Sequence, residues 1–226
     1  MRLGIRLLFA FFLINGIAAF FVLRVFTAEI KPSVREVMED MMVDTANLLA
    51  ELASDDLAAG RLAQGDTDSA FARHVRNYVR RPIDAGIWGF AKQSLDYRIY
   101  VTDATGRVLF DSQGQAVGQD FSQWRDVART LRGEYGARMT REVPSDDTSG
   151  VMHVAAPVLV QGRILGVLTV AKPVRTVQRF IDRAERKVLM GGLVLLLLSA
   201  AVGVAVTLWM VWNVRRLRDY ALSVQG

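Results

Sequence analysis

Two uninterrupted apolar stretches constrain this 226-residue chain more than any other feature. The first runs from Leu7 to Val22 and the second from Val188 to Trp212, and neither contains Asp, Glu, Lys or Arg. At about 1.5 Å of rise per residue, a helix over the second stretch exceeds the roughly 30 Å hydrocarbon core of a bilayer. The first stretch continues through Leu23 and is also long enough to span. Because only a bilayer accounts for both stretches, two membrane crossings are predicted.

Arginines at the two ends predict the orientation. Arg2 and Arg6 precede the first stretch, and three more follow the second, at Arg215, Arg216 and Arg218. Short basic flanks stay in the cytoplasm, so the enclosed segment is predicted to lie outside it. The predicted organisation is a cytoplasmic N-terminus 1–6, a transmembrane helix 7–26, an outer domain 27–187, a second transmembrane helix 188–212 and a cytoplasmic segment 213–226.

A cleavable signal peptide is the alternative interpretation of residues 1–28. The apolar run continues through Phe20 to Leu23. A cleavage site that ends at Ala28 would need a small residue at position 26, where the chain has Phe26. An uncleaved anchor therefore fits better.

The distribution of charge along the chain agrees with this topology. The net charge is +5, and the segment from Glu29 to Lys187 is balanced, so the excess comes from the flanking arginines. No basic run with interleaved aromatic residues occurs there, and nucleic acid is not expected as a partner. The absence of Cys excludes disulfides, thiolate nucleophiles and Cys-ligated metals.

The outer segment is predicted to open with a helix from Pro32. Apolar and small residues recur at heptad spacing at Val34, Met38, Met41, Thr45, Leu48 and Leu52. Such a seam is typical of a helix that pairs with a partner helix, here a second copy in a homodimer. The alternative is that the stripe covers the domain's own sheet.

The rest of the outer segment predicts an α+β fold. A short helix is expected over Phe71 to Arg80, and a period of two begins at Tyr97. The predicted strands are 97–102, 107–111, 135–143, 151–160 and 164–171, with a helix over 124–131. The count is five antiparallel strands, with long helices at both ends.

A last helix is predicted to begin at Pro173 and to continue into the second apolar stretch. Val174, Val177, Ile181, Ala184 and Val188 follow helical spacing, and no breaker precedes Gly191-Gly192. A continuous helix would transmit a signal across the membrane. Val177 and Ile181 join the heptad residues as predicted signalling positions.

Within the membrane, small and polar residues predict a packing face. Ser199, Gly203 and Thr207 recur every four residues, which lets helices approach closely, and Asn15 can hydrogen-bond across helices.

Enzyme motifs are absent from these residues. There is no phosphate-binding loop, dinucleotide fingerprint, nucleophile elbow or zinc-protease helix. We predict no catalytic residue, no metal site and no cofactor within the chain.

A ligand pocket requires only a few polar groups that converge on a concave wall. Five polar side chains that fall in predicted strands, or directly after one, are candidates: Arg98, Tyr100, Arg138, His153 and Lys172. Arginine there suits a carboxylate or phosphate, so a small anion is the expected ligand. The alternative is that these are charges on the solvent face of an antiparallel sheet.

Several segments carry a family resemblance. These are Arg107 to Ser112, Val117 to Asp120, Leu131 to Gly133 with Tyr135 to Arg138, Val154 to Pro157, and the strand that ends in Gly166 to Pro173. Their order between two apolar stretches resembles the PAS-like extracytoplasmic sensor domains of bacterial receptors. Among these, the chain is most similar to the sensor histidine kinases of two-component systems.

The resemblance implies a homodimer in the bacterial inner membrane that senses a periplasmic stimulus, either a ligand or a partner protein. It also implies a cytoplasmic kinase that phosphorylates a response regulator. The two histidines, His74 and His153, both lie in the outer segment, so the phospho-accepting part would follow Gly226, and ATP and magnesium are expected only there.

Three points stay open at this stage. Residues 215–224 resemble the start of a HAMP-type linker, but a basic tail on anionic lipid fits equally well. A chemotaxis receptor or a cyclase would use the same kind of input domain. A two-span scaffold or a tethered periplasmic enzyme are the remaining alternatives.

Overall fold

The computed structural model describes residues 2–25, 28, 31–62, 69–87, 90–141, 145 and 149–223. In chain order the elements are α1 (Arg2–Val25), α2 (Lys31–Ala58), α3 (Ala70–Arg80), β1 (Ala85–Ile87), β2 (Phe90–Lys92), β3 (Arg98–Asp103), β4 (Val108–Asp111), α4 (Arg125–Leu131), β5 (Gly136–Arg141), β6 (Gly150–Val160), β7 (Arg163–Pro173) and α5 (Arg175–Ser223). They form two compact units, one of residues Val34–Gln178 and the other of Met1–Ser33 with Arg179–Gly226.

The first unit is built on a five-stranded antiparallel sheet in the order β4-β3-β7-β6-β5. The long hairpin of β6 and β7 lies at its centre, and its turn at Gln161-Gly162 is left-handed at both residues. The predicted α+β class, the five antiparallel strands and both hairpins are confirmed.

Each face of the sheet carries its own apolar core, because successive side chains along a strand point to opposite faces. One face holds Ile99, Val101, Val154 and Val170 and is covered by α2 and α3. The other holds Tyr100, Ala155 and Val167 and packs against Phe121 and Val127, which belong to α4 and the loop before it. The polar residues of the candidate site lie on this second face.

The row of α2 that covers the sheet differs from the predicted heptad seam. The buried row is Met38, Met42, Ala46, Ala50 and Ala53. Of the seam residues, Met38 is in this core, but Met41, Leu48 and Leu52 are each more than 60% exposed. Small alanines face the sheet because they let the helix lie close to it. The larger seam residues are left on the outer surface of the unit.

A second sheet of two short strands was not predicted. β1 and β2 pair through Ala85↔Lys92 and Ile87↔Phe90. Each strand has only three residues, which is too short to show a clear period of two.

The second unit contains α1 and most of α5. Ile181–Asn213 is the one described helical segment that is long and apolar enough to cross a membrane, and the apolar part of α1, Phe9–Val25, is shorter. The expectation of two spans is therefore confirmed for the second helix only. Gly191 and Gly192 lie inside α5, which continues without interruption.

Candidate ligand cavity

The structure brings four of the five predicted ligand residues to one face of the sheet. Arg98, Arg138 and His153 line a cavity of about 380 Å³, which we call the arginine cavity. Strand register explains this, because Arg138 pairs with His153, and both His153 and Arg98 pair with Ala171. Its other lining residues are Asp96, Gln113, Trp124, Thr140, Arg141, Val151, Ala171 and Pro173.

Arg138 is held in place by a buried carboxylate. Its Nε donates to Asp126 Oδ1 at 2.6 Å, and the Asp126 side chain is fully buried while that of Arg138 is 16% exposed. The guanidinium also lies 4.0 Å above the ring of Trp124, which stacks on Phe121. An ion pair, a cation–π contact and the strand thus fix one orientation of this side chain.

Tyr100 lies beneath the cavity rather than in its wall. Its hydroxyl donates to Asp126, and Thr169 Oγ1 is 3.4 Å from the same carboxylate oxygen. Burial, and then the negative charge of Asp126, raise the pKa of Tyr100 well above its ordinary value. The phenol therefore stays protonated and acts as a hydrogen-bond donor that helps to hold Asp126.

His153 bridges Arg138 and Thr140. Its Nδ1 lies 3.2 Å from Arg138 Nη2, and its Nε2 lies 3.0 Å from Thr140 Oγ1. Burial, and then the charge of Arg138, lower the pKa of His153 to about 4. Because Arg138 can only donate, neutral His153 accepts at Nδ1 and donates from Nε2 to the threonine.

Arg98 is held by a second aspartate, Asp111. The pair is bidentate, with Nε to Oδ1 at 3.0 Å and Nη2 to Oδ2 at 2.8 Å. The same carboxylate accepts from the backbone N–H groups of Gln113, Gln115 and Ala116. Burial alone would raise the pKa of Asp111, but the hydrogen bonds from Arg98 and from the backbone lower it overall. These bonds use two of the five N–H donors of the guanidinium, which leaves others for a ligand.

Lys172 is not brought to this site. It pairs with Met152, one position along from the His153 register, so it points to the other face of the sheet. There its Nζ lies 4.8 Å from the ring centroid of Tyr97. Burial, followed by the nearby charge of Lys92, lowers the pKa of Lys172.

Sequence reasoning did not single out Asp111, Asp126, Trp124 or Thr140. A signal was available for one of the two aspartates, because a buried arginine requires a counter-charge nearby. For Asp111, the β3–β4 hairpin places the carboxylate opposite Tyr100, next to Arg98. Asp126 belongs to a helix, and only the tertiary fold brings it to Arg138.

The remaining predicted positions are distributed as follows. Val34 is half-buried, Ile181 is buried, and the side chain of Val177 lies outside the described part of the structure. In the second unit, Ser199 Oγ lies 3.4 Å from the Asn15 amide oxygen, and a Cβ on Gly203 would contact the ring of Phe11 at 3.3 Å. The Thr207 hydroxyl donates to the Gly203 carbonyl of its own helix.

The arrangement is suited to binding rather than to covalent chemistry. Each strong polar group is already fixed by a partner, and His153 is neutral in the ordinary pH range. Among the described residues, no three His, Asp or Glu side chains lie close enough together to hold a metal ion.

Comparison with known proteins identifies the type of chain. No protein-family model matches it. Sensor protein CreC of Escherichia coli (strain K12) is 45% identical over 224 residues, which cover 99% of this chain and 46% of CreC. The chain is therefore similar to sensor protein CreC over nearly its whole length, and it spans about half the length of that relative.

Two solved structures are also similar to this chain. The sensor domain of the V. cholerae histidine kinase DctB is 17% identical and matches with a TM-score of 0.45, over 70% of this chain and 55% of that one. The E. coli DcuS sensor domain is 19% identical with a TM-score of 0.42, over 65% and 98% of the two chains.

Proposed function

We propose that this chain is the input part of a membrane-bound sensor histidine kinase. The unit Val34–Gln178 senses a periplasmic stimulus, and the complete receptor responds by changing its autophosphorylation and its phosphotransfer to a response regulator. The likeness to CreC along nearly the whole chain supports this reading, and so does the long helix α5, which begins two residues after the last strand. Chemotaxis receptors and cyclases share such inputs, but the likeness to CreC favours a kinase.

The observation that carries the sensing role is the arginine cavity. Its wall carries Arg98, Arg138 and Arg141 against one acidic residue, Asp96. The two buried aspartates lie behind Arg98 and Arg138 and orient them, so a bound ligand meets preorganised N–H donors. The proposed ligand is a small anion such as a carboxylate or phosphate.

Conservative substitutions test the ligand assignment. The chain in lipid nanodiscs is titrated with acetate and with inorganic phosphate, and the shift in unfolding temperature is measured. Arg98→Lys and Arg138→Lys keep the charges that balance Asp111 and Asp126 but lose the planar guanidinium. We expect stabilisation by at least one anion, and at least a tenfold loss of its affinity in both variants.

Arg107→Gln is the matched control, because Arg107 is exposed in the β3–β4 turn and contacts the Gly118 carbonyl outside the cavity. Stabilisation by neither anion, or equal loss in the control, would contradict the anion assignment. A partner protein would then be the remaining stimulus.

Homodimerisation is part of the proposal. The exposed residues Met41, Leu48 and Leu52 form a stripe on α2 at heptad spacing, which favours packing against the same helix of a second copy. In the bacterial inner membrane, both apolar helices of each copy would then form a four-helix bundle, whose two packings correspond to the two signalling states. The residues after Asn213 would continue into a HAMP-type linker.

A further inference from the structure

A second cavity lies on the helix-covered face of the sheet, opposite the arginine cavity. It has a volume of about 640 Å³, is open to solvent on one side, and is lined by residues of α2, of α3 and of the start of β3. Its apolar wall is formed by Leu49, Leu52, Phe71, Val75 and Ile99. Ile99 and Tyr100 are adjacent on β3 and point to opposite faces, so the two cavities are separated by the sheet itself.

The wall of this cavity is fixed by a buried carboxylate. Asp56, near the end of α2, accepts from Ser69 Oγ at 2.6 Å and from the Phe71 backbone N–H at 2.8 Å. It also pairs with Arg61 at 2.6 Å. Burial alone would raise the pKa of Asp56, but the hydrogen bonds from Ser69, Phe71 and Arg61 lower it overall. The end of α2 is thereby tied to the start of α3, and the cavity between them is preformed.

Polar side chains from α3 and from the segment before β3 also line the cavity. The side chains of Tyr78, Tyr97 and His74 line it together. Among the described residues, neither tyrosine hydroxyl makes a hydrogen bond within the chain, although burial helps to raise the pKa of Tyr78 to about 12. Two hydroxyls and an imidazole beside an apolar wall are the features of a small-molecule site.

The charges in the wall indicate which chemical class fits. Asp56 and Arg61 neutralise each other, and the other acidic residue of the wall, Asp55, is exposed to solvent. An ion placed against the apolar residues would therefore lose hydration without gaining a buried counter-charge. A neutral molecule with an apolar ring and one hydroxyl or amide group meets no such cost. It would bury its ring against Leu49 and Phe71 and present its polar group to the tyrosines.

We propose that the cavity between α2 and α3 is a second ligand site, which takes a small uncharged aromatic or alicyclic molecule with one polar end. This goes beyond the anion-sensing role, and the site is occupied independently of the arginine cavity. Because Leu52 belongs both to this wall and to the exposed stripe on α2, a bound ligand would also alter the surface through which two copies are proposed to pack.

The experiment uses the whole chain in lipid nanodiscs, with its five tyrosines replaced by 3-fluorotyrosine. The fluorine resonances are assigned by single Tyr→Phe variants, and 4-methylphenol is the probe. We expect saturable shifts at Tyr78 and Tyr97, and none at Tyr100 or Tyr135. Tyr220, which follows the apolar segment of α5, reports partition of the probe into lipid.

Four variants sharpen the test. Ala70→Phe places a ring at an exposed position that lines the cavity, and it should weaken binding at least tenfold, while Ala104→Phe in the exposed β3–β4 turn should not. Tyr78→Phe should weaken binding about three- to tenfold, the range of one hydrogen bond. Arg138→Lys should leave 4-methylphenol binding unchanged, so this result is separate from that of the anion test.

The proposal is overturned if Tyr78 and Tyr97 do not respond, or if all five resonances move linearly without saturation. It is also overturned if Ala70→Phe binds as tightly as the unmodified chain. The Tyr78 resonance could instead change with the density of the chain in the membrane and not with 4-methylphenol. That result would show that a second copy of the chain occupies the cavity, and not a small molecule.

Discussion

Asp126 is the residue on which the arginine cavity depends. One carboxylate accepts from Arg138 and Tyr100, and it lies within reach of Thr169. Its negative charge balances the Arg138 cation in the wall of the cavity, and the tyrosine and threonine hold the carboxylate in position. The surface of the cavity is therefore positioned from beneath, by a buried carboxylate that does not line the cavity itself.

Asp126→Asn tests this role. The substitution keeps the shape but leaves the Arg138 cation without its buried counter-charge, which we expect to cost about 3 kcal/mol of unfolding free energy. The measurement is urea unfolding in nanodiscs, followed by tryptophan fluorescence. Glu134→Gln is the control, because Glu134 pairs with arginines at the exposed end of α4 and should change stability little. Equal effects of the two variants would argue against a buried anchor.

His153 predicts a pH dependence of stability. Its pKa in the folded state is about 4, below the ordinary value of 6.5, because it is buried and lies beside Arg138. Between these two pH values, His153 is protonated in the unfolded chain but neutral in the folded chain. The free energy of unfolding therefore falls as the pH drops from about 6.5 to 4. The loss is on the order of 3 kcal/mol over this window.

His153→Gln should flatten the curve of unfolding free energy against pH between 6.5 and 4. His74→Gln, at an exposed position of α3, should leave the drop in place. An unchanged slope in His153→Gln would assign the pH dependence to other groups.

The sequence predicts which polar residues lie in strands, but it does not predict which face of the sheet each side chain is on. Arg98, Tyr100, Arg138 and His153 share a face because of the register of four strands. Lys172 lies one position along its strand from the residue that pairs with His153, so its side chain is on the other face. A shift of one residue moves a side chain to the other face, and periodicity locates strand ends less finely than that.

At the scale of elements, the close approach of α4 to β5 shapes the cavity. A Cβ added at Gly136 would overlap the Asp126 carbonyl and the Thr130 hydroxyl. Only glycine lets the strand pass this close beneath the helix. The contact positions α4, and with it Asp126, over the sheet.

Gly136→Ala should force α4 away from β5 and reduce the unfolding free energy by more than 2 kcal/mol. Gly86→Ala in β1 is the matched control, since nothing lies within 4 Å of its added Cβ. The control should change stability by less than about 0.5 kcal/mol. Unfolding temperatures of the two variants in nanodiscs provide the comparison, and similar values would refute the steric argument.

The exposed stripe on α2 makes a prediction about assembly. Because the chain has no native cysteine, Leu48→Cys introduces a single thiol on the stripe. We expect it to form an intermolecular disulfide under mild oxidation in membranes, detected on a non-reducing gel. Arg73→Cys, an exposed position on α3, should cross-link much less. Equal cross-linking at both positions would indicate random collision.

Elements with strong local signals were predicted well. The strands β3, β6 and β7 and the helix α3 appear within a few residues of their expected bounds. The pairing of β1 with β2 depends on three-residue strands, and the choice of the sheet-facing row of α2 depends on how closely alanines allow the helix to pack. Neither is encoded in a local pattern.

At the scale of the whole molecule, the proposed signal passes from a sensing unit through α5. The helix runs from Arg175 to Ser223 without a break. We therefore expect the output to depend on the helical phase of α5. An insertion that rotates the helix should change output even though no cavity residue is altered.

The most direct test is a chimera in which this chain replaces the matching segment of CreC. Phosphotransfer to the response regulator is measured in membranes for the chimera, for Arg138→Lys, and for insertions of two or seven residues after Lys187. Two residues rotate the following helix by about 200°, whereas seven restore its phase to within about 20°. We predict phosphotransfer in the chimera, a changed level in Arg138→Lys and with two residues inserted, and recovery with seven. Absence of phosphotransfer in the chimera, or one constant level in all four proteins, would contradict the input role.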